Sequence, residues 1–432
     1  MSYVYNAMKP KVTLLILSLY SAFITATSNK CPPIQKPCFC TSSKHEPIAV
    51  RCEKAASIAA VIKTLPKTLL YLNSLTISNT PVPELPPHVF KDFVIKKLSL
   101  RNNGMFNIHP EAFDSNLDSL EELELRSNRF GSIPQGALAR LRNLKTLIIS
   151  EDNISKINDY TFNTWRSKGI LQKLELNSNY LSTIGKQGFV GLKALKQLSL
   201  DKNLFQQIPT DAFKSLPELE ELSMSVNDIR QIPVGSLPLP NLKSLSFEVN
   251  QISSISADAF RQTPQILYLY LSGNLLTSID SNMFYYISQL KVLAIGNNAA
   301  ITTLSPNAFQ YVPSLIRLEI SDCSISYIAP TALQKMPKLQ VITMRNNRLT
   351  RIERSTFSNL HEVVSIDIRQ NKIRSVENFA FSNLRSLRHL DISRNQLENL
   401  PESTFYGTYI PTNPPITRII YLYDEKEATK LQ

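Results

Sequence analysis

One pattern recurs through most of the chain and limits what it can fold into. Aligned on L-x-x-L-x-L-x-x-N-x-L, clear copies are LKQLSLDKNLF at 195–205, LYLYLSGNLLTSI at 267–279 (in register from Ile266) and LRHLDISRNQL at 387–397. The ninth position of successive copies is Thr80, Asn103, Asn128, Asp152, Asn179, Asn203, Asn227, Asn250, Asn274, Asn298, Cys323, Asn347, Asn371 and Asn395, fourteen copies spaced 23–27 residues apart. Ten residues further on stands a second apolar marker: Phe90, Phe113, Leu138, Phe162, Phe189, Phe213, Leu237, Phe260, Phe284, Leu333, Phe357, Phe381 and Phe405. In the Asn298 copy one inserted residue moves that marker to Phe309. A unit this small cannot bury its own leucines, so neighbouring copies must stack and share a continuous core. Separate compact domains, the ordinary expectation for 432 residues, are thereby excluded.

The leucine alternation predicts a short strand whose leucines point inward and whose intervening residues point outward. The rest of each copy returns the chain to the start of the next strand, and its phenylalanine fills the far side. The expected architecture is an α/β solenoid, a horseshoe with a concave parallel β-sheet and an irregular or 3-10 convex side. Position nine points into the core at a bend, where an asparagine amide supplies two donors and one acceptor to neighbouring turns. Cys323 stands at one of these positions and reads as a buried thiol. Only eleven glycines are present, which disfavours enzymes built on glycine-rich phosphate loops.

Four of the five cysteines, Cys31, Cys38, Cys40 and Cys52, fall within 22 residues. They suit two disulfides in any of three pairings, or a zinc site, though no paired C-x-x-C spacing is present. Ahead of them, residues 1–28 read as a secretory signal: Lys9 and Lys11 precede the largely apolar Val12–Ala26, and small residues follow. Its removal lowers the net charge from +12 to +10. No later stretch offers the ~18 apolar residues that a membrane helix needs. A secreted, extracellular product is expected.

The repeat resembles the extracellular leucine-rich repeat family over residues 66–406. That resemblance implies that residues 29–65 form an N-terminal disulfide cap, with Cys31 joined to Cys40 and Cys38 to Cys52. Many extracellular members also carry a second cysteine cluster after the last repeat, and residues 407–432 hold no cysteine. Three readings of that tail stand: Ile416, Ile419 and Tyr421 make a final turn, the chain is truncated, or the uncapped end pairs with a second copy as a homodimer. Members of the family include adhesion and guidance proteins, Toll-type ectodomains, matrix proteoglycans and, in arthropods, proteins similar to the non-catalytic subunit of a secreted luciferin monooxygenase.

Positions three, five, seven and eight face the concave side, where fourteen strands about 4.8 Å apart make a surface roughly 60 Å long. The early copies present Glu122, Glu124, Glu175 and Glu221. The middle ones present Tyr268, Tyr270, Val292, Ala294 and Gly296, and the later ones Arg317, Arg345, Arg369 and Arg394 beside Glu319, Asp367 and Asp391. Residues 335–394 hold 12 Lys/Arg against 5 Asp/Glu, either a footprint for an acidic protein or sulfated glycan, or a solvated face neutralised by its own aspartates. The candidate ligand-binding set is Tyr268, Tyr270, Val292, Arg317, Arg345, Arg369 and Arg394, with adjacent tyrosines as rigid interface anchors. Asn153-Ile-Ser155 is the one glycosylation sequon. The Trp165 segment, 163–170, carries three extra residues on the convex side with no assigned role.

No HExxH, GxSxG or Cys–His arrangement occurs, and the five histidines are scattered. No catalytic residue, cofactor or metal is expected, nor a nucleic-acid partner for a secreted product. The expected function is recognition of a protein ligand or receptor in adhesion, signalling or innate recognition. Two alternatives remain, a non-catalytic stabilising subunit of a secreted enzyme and a matrix glycosaminoglycan binder.

Overall fold

Leucines at position four line up strand after strand and set the register of the whole molecule. In the computed structural model, which describes residues 31–408 and the backbone strand Ile419–Tyr421, Leu174, Leu198, Leu222, Leu245, Leu269, Leu293, Leu318, Ile342, Ile366 and Leu390 are successive partners in one parallel sheet. All are buried. The sheet has 17 strands among the described residues. It starts with Cys38–Thr41, which pairs antiparallel with Ala49–Glu53, and turns parallel from there on. Its last strand, Ile419–Tyr421, pairs parallel with His389–Asp391. Ile416, the proposed partner of that strand in a closing turn, lies outside the described residues, as does the signal reading of residues 1–28.

The first repeats have longer strands than the rest. Tyr71–Ser78 and Val94–Arg101 run eight residues each, Glu122–Arg126 and Thr146–Ser150 five, and every later repeat strand three. The convex side is made of turns, single helical turns such as Ser281–Phe284 and Thr210–Phe213, and five two-residue parallel bridges. Phenylalanines stack from coil to coil there, at 5.2 Å for Phe357 and Phe381 and 5.7 Å for Phe381 and Phe405. Trp165 explains the three extra residues of its coil: it is buried edge-on against Phe162 at 4.9 Å, and its indole N–H donates to Gln135 Oε1 at 2.6 Å.

Position nine forms a ladder. Each of the eleven asparagines donates Nδ2 to the position-six carbonyl of the preceding coil, as Asn203 does to Leu176 at 2.9 Å and Asn274 to Phe247 at 2.9 Å. Its Oδ1 accepts a backbone N–H from that same coil, Leu181 in the case of Asn203 (3.0 Å). Cys323 keeps the rung with its thiol, Sγ to the Ile295 carbonyl at 3.8 Å, and burial pushes that thiol's pKa up.

Position eight was not legible in the repeat. All fourteen of these residues adopt a left-handed backbone, from Asn79 at φ 52° through Val226 at 56° and Gly273 at 71° to Arg394 at 56°. The bend turns the backbone N–H toward the next coil, so Lys202 donates to the Ser225 carbonyl and Val249 to that of Ser272, each at 2.8 Å. Asparagine, serine and glycine fill half of these places, which is the one signal sequence could have offered.

At the N-terminal end, disulfides join Cys31 to Cys40 and Cys38 to Cys52. The helix Ile58–Thr64, capped by Ser57 Oγ on the Ala60 N–H at 3.2 Å, follows them and buries Val61 in the core.

Candidate ligand-binding face

The outward side chains of the sheet divide into three stretches with different electrostatics. In the first, acids and bases of neighbouring coils, and in one case of the same strand, satisfy one another. Lys97 reaches Glu122 at 3.0 Å, Lys145 reaches Glu121 at 3.0 Å, and Lys173 reaches Glu175 at 2.7 Å. Glu124 is the hub: it accepts from Arg101, from Ser99 Oγ at 2.9 Å and from Arg126 Nε at 3.0 Å. Burial alone would raise its pKa, but the hydrogen bonds from Arg101 and Ser99 outweigh that and hold the carboxyl below its usual range. A polar band continues the pattern, with Asp201 accepting from Ser199 Oγ at 2.8 Å and the Ser225 N–H at 2.7 Å.

The middle stretch differs. Tyr268, Val292 and Arg317 are register partners on three successive strands, and so are Tyr270, Ala294 and Glu319. Tyr268 remains 37 % exposed and Tyr270 is half-buried, while Ala294 and Gly296 form a low floor beside them. A Cβ on Gly296 would stand 2.7 Å from the Ser321 carbonyl, so the floor stays bare at that point. Glu248 lies near enough to Tyr270 and Glu319 to act on both. Burial raises its pKa, and the nearby charge of Glu319 raises it further. Tyr270 is also pushed up, by burial and then by Glu248. Among the described residues, Glu248, Glu319 and Arg317 make no ion pair.

The turn beside this stretch adds apolar surface that sequence reasoning missed. Val226 and Val249 occupy left-handed positions and are 40 % and 55 % exposed. A β-branched residue costs roughly 1–2 kcal/mol there. No periodic signal marked them, because position eight tolerates any side chain that points outward.

In the last stretch the arginines meet their own aspartates. Arg345 Nε lies 3.7 Å from Asp367, and Arg369 lies 3.5 Å from both Asp367 and Asp391. Burial raises the Asp367 pKa, and the Arg369 N–H and guanidinium oppose that rise. Arg394 sits past its strand on the left-handed turn. The structure therefore brings Tyr268, Tyr270, Val292 and Arg317 together and draws Arg345 and Arg369 into a separate, self-paired cluster. Asn153 is exposed beyond its strand. On the convex side His88, Glu111 and Asp114 place ligand atoms within 4.8 Å of one another, but Arg140 already lies 3.0 Å from Asp114.

A family model described as leucine rich repeat matches residues 93–154, 118–167, 170–229, 226–276, 264–325, 313–373, 337–397 and 361–408. Over 115 residues the chain is 34 % identical to the leucine-rich repeat-containing protein let-4 of Caenorhabditis elegans, which is 26 % of this chain and 15 % of that protein. A solved leucine-rich-repeat protein of Leptospira interrogans is similar at a TM-score of 0.66 and 24 % identity, covering 79 % of this chain and 84 % of the other. A chain of the Drosophila Toll–Spatzle complex is similar at a TM-score of 0.68 and 20 % identity, covering 81 % and 50 %. These structural likenesses show a shared fold.

Proposed function

The chain belongs to the leucine-rich repeat family, whose members here are of the kind that bind other macromolecules, and from that premise we propose a secreted recognition protein that grips a protein ligand or receptor by the middle of its concave face. The observation that carries this reading is the contrast in charge satisfaction. At Tyr268 and the half-buried Tyr270, with Val292 beside them, the face offers aromatic surface bordered by Glu248, Glu319 and Arg317, which make no ion pair among the described residues. Around Glu124 and around Asp367 a partner would have to break existing ion pairs before making its own. Aromatic anchors over a desolvated floor are where interface energy concentrates.

Two disulfides support an oxidising compartment and hence the extracellular assignment. No described helix is long and apolar enough to cross a membrane. Exposure of Asn153 supports a glycan there. The pairing of Arg345 and Arg369 with Asp367 and Asp391 favours the protein partner over a sulfated glycan.

Affinity capture from the native extracellular fluid, run side by side with the wild-type chain and Tyr270→Ala, tests the assignment. The variant is expected to fold normally and to lose about 1–3 kcal/mol of binding, roughly a 5–150-fold weaker hold on the captured protein. Unchanged affinity would move the interface off this stretch.

A further inference from the structure

One rung of the buried ladder has the wrong chemistry. Asp152 occupies position nine, 3 % exposed, where eleven other coils carry asparagine. Its Oδ1 accepts the Phe130 N–H at 3.0 Å, as Asn227 Oδ1 accepts that of Phe205 at 3.1 Å. Oδ2 therefore stands where each asparagine carries Nδ2, a donor aimed at the position-six carbonyl of the preceding coil. For this coil that carbonyl belongs to Leu125. An ionised carboxylate has no proton to give it, and Asp152 Oδ2 is buried with no hydrogen-bond partner. A polar atom left so is costly.

The surrounding coil is poorly satisfied as well. Ser150 Oγ, Asp152 Oδ2 and Ser167 Oγ, all within residues 150–167, are buried with no hydrogen-bond partner among the described residues. Charged neighbours offer no relief. Glu151, next in the chain, acts against ionisation. Arg126 on the preceding coil is turned to Glu124 at 3.0 Å and to Glu151 at 3.6 Å. The following coil presents the uncharged Asn177, Ser178 and Asn179.

We propose that Asp152 is a proton-controlled joint in the solenoid: protonated, its carboxyl donates to the Leu125 carbonyl and ties adjacent coils as the asparagines do; ionised, the rung opens and the coils before it loosen against those after it. Burial pushes the Asp152 pKa up to about 7, so the joint titrates within the range of ordinary extracellular and acidified compartments. The sign follows from linkage. The folded state holds this proton more tightly than the unfolded chain does, so the stabilisation is complete below the unfolded value near 4 and is lost as pH rises through about 7.

Asp152→Asn in the full chain is the direct test, and it is safe for folding because asparagine fills eleven rungs of the same ladder. Melting temperature is measured from pH 5 to pH 8 for both proteins. The wild type is expected to lose about 3–6 °C more than the variant over that span, with the variant the more stable at pH 8. Asn227→Asp should import the same excess pH dependence into a satisfied rung. Hydrogen exchange, corrected for intrinsic rates, should show the Phe130 and Asn153 amides, which bridge the Asp152 coil and the preceding one, losing protection in the wild type first. Parallel melting curves for wild type and Asp152→Asn, or an Asn227→Asp variant with no added pH dependence, would overturn the proposal.

Discussion

The stretch of sheet around Glu124 and the stretch around Tyr270 share a backbone and a core but treat their surface charges in opposite ways. Around Glu124 two arginines and a serine converge on one carboxylate, and neighbouring strands exchange Lys–Glu pairs. Around Tyr270, Glu248, Glu319 and Arg317 make no ion pair among the described residues, and burial followed by the charge of Glu319 raises the Glu248 pKa. A face whose charges are already matched gains stability and resists a partner, because each new contact must first undo an old one. A face with charges outside ion pairs and aromatic rings beside a low floor gives up that stability and remains available.

The comparison fails at once if the two regions differ inside as well as outside. Leu123→Ala and Leu293→Ala remove equivalent buried leucines beneath the two surfaces. Each is expected to cost about 2–5 kcal/mol in denaturant unfolding, equal within error. A much smaller loss at Leu123 would mean that ion pairs, rather than the core, hold the early coils.

Surface charge separates the regions more finely. Glu124→Gln leaves Arg101 without its carboxylate and Arg126 with Glu151 alone, and should lower stability by about 1–2 kcal/mol. Glu319→Gln should change stability by under about 0.5 kcal/mol, while altering partner binding. Equal destabilisation by the two substitutions would erase the distinction drawn here. The smallest effect belongs to the arginine cluster. Arg369→Gln should cost less than about 1 kcal/mol, and should barely move the low salt concentration at which the protein elutes from heparin. A large shift in elution would restore the sulfated-glycan reading.

Much of this molecule could be read from residue types. The coil count, the register of the leucines, the phenylalanine stack and the position-nine ladder all depend on which side of a strand a residue occupies, and period-two alternation states that directly. The thiol of Cys323 fell into place for the same reason. Three features resisted. The left-handed bend at position eight accepts Lys202, Val226 and Arg394 alike, so side-chain identity carries little trace of it. Trp165 looked like a bulge without a purpose until its ring was seen against Phe162 and its N–H on Gln135, thirty residues earlier in the chain. The exposed Val226 and Val249 had no pattern to announce them.

Sequence by itself therefore determined the scaffold, because stacking coils is the only way for short amphipathic units to bury their apolar side. Tertiary structure decided which charges are spent and which remain open. Arg369 finds Asp391 across 22 residues of chain, and Glu248 feels Glu319 across 71, only after the coils have closed. Electrostatic pairing is a matter of ångströms, and distances between coils are set by packing that no single repeat contains.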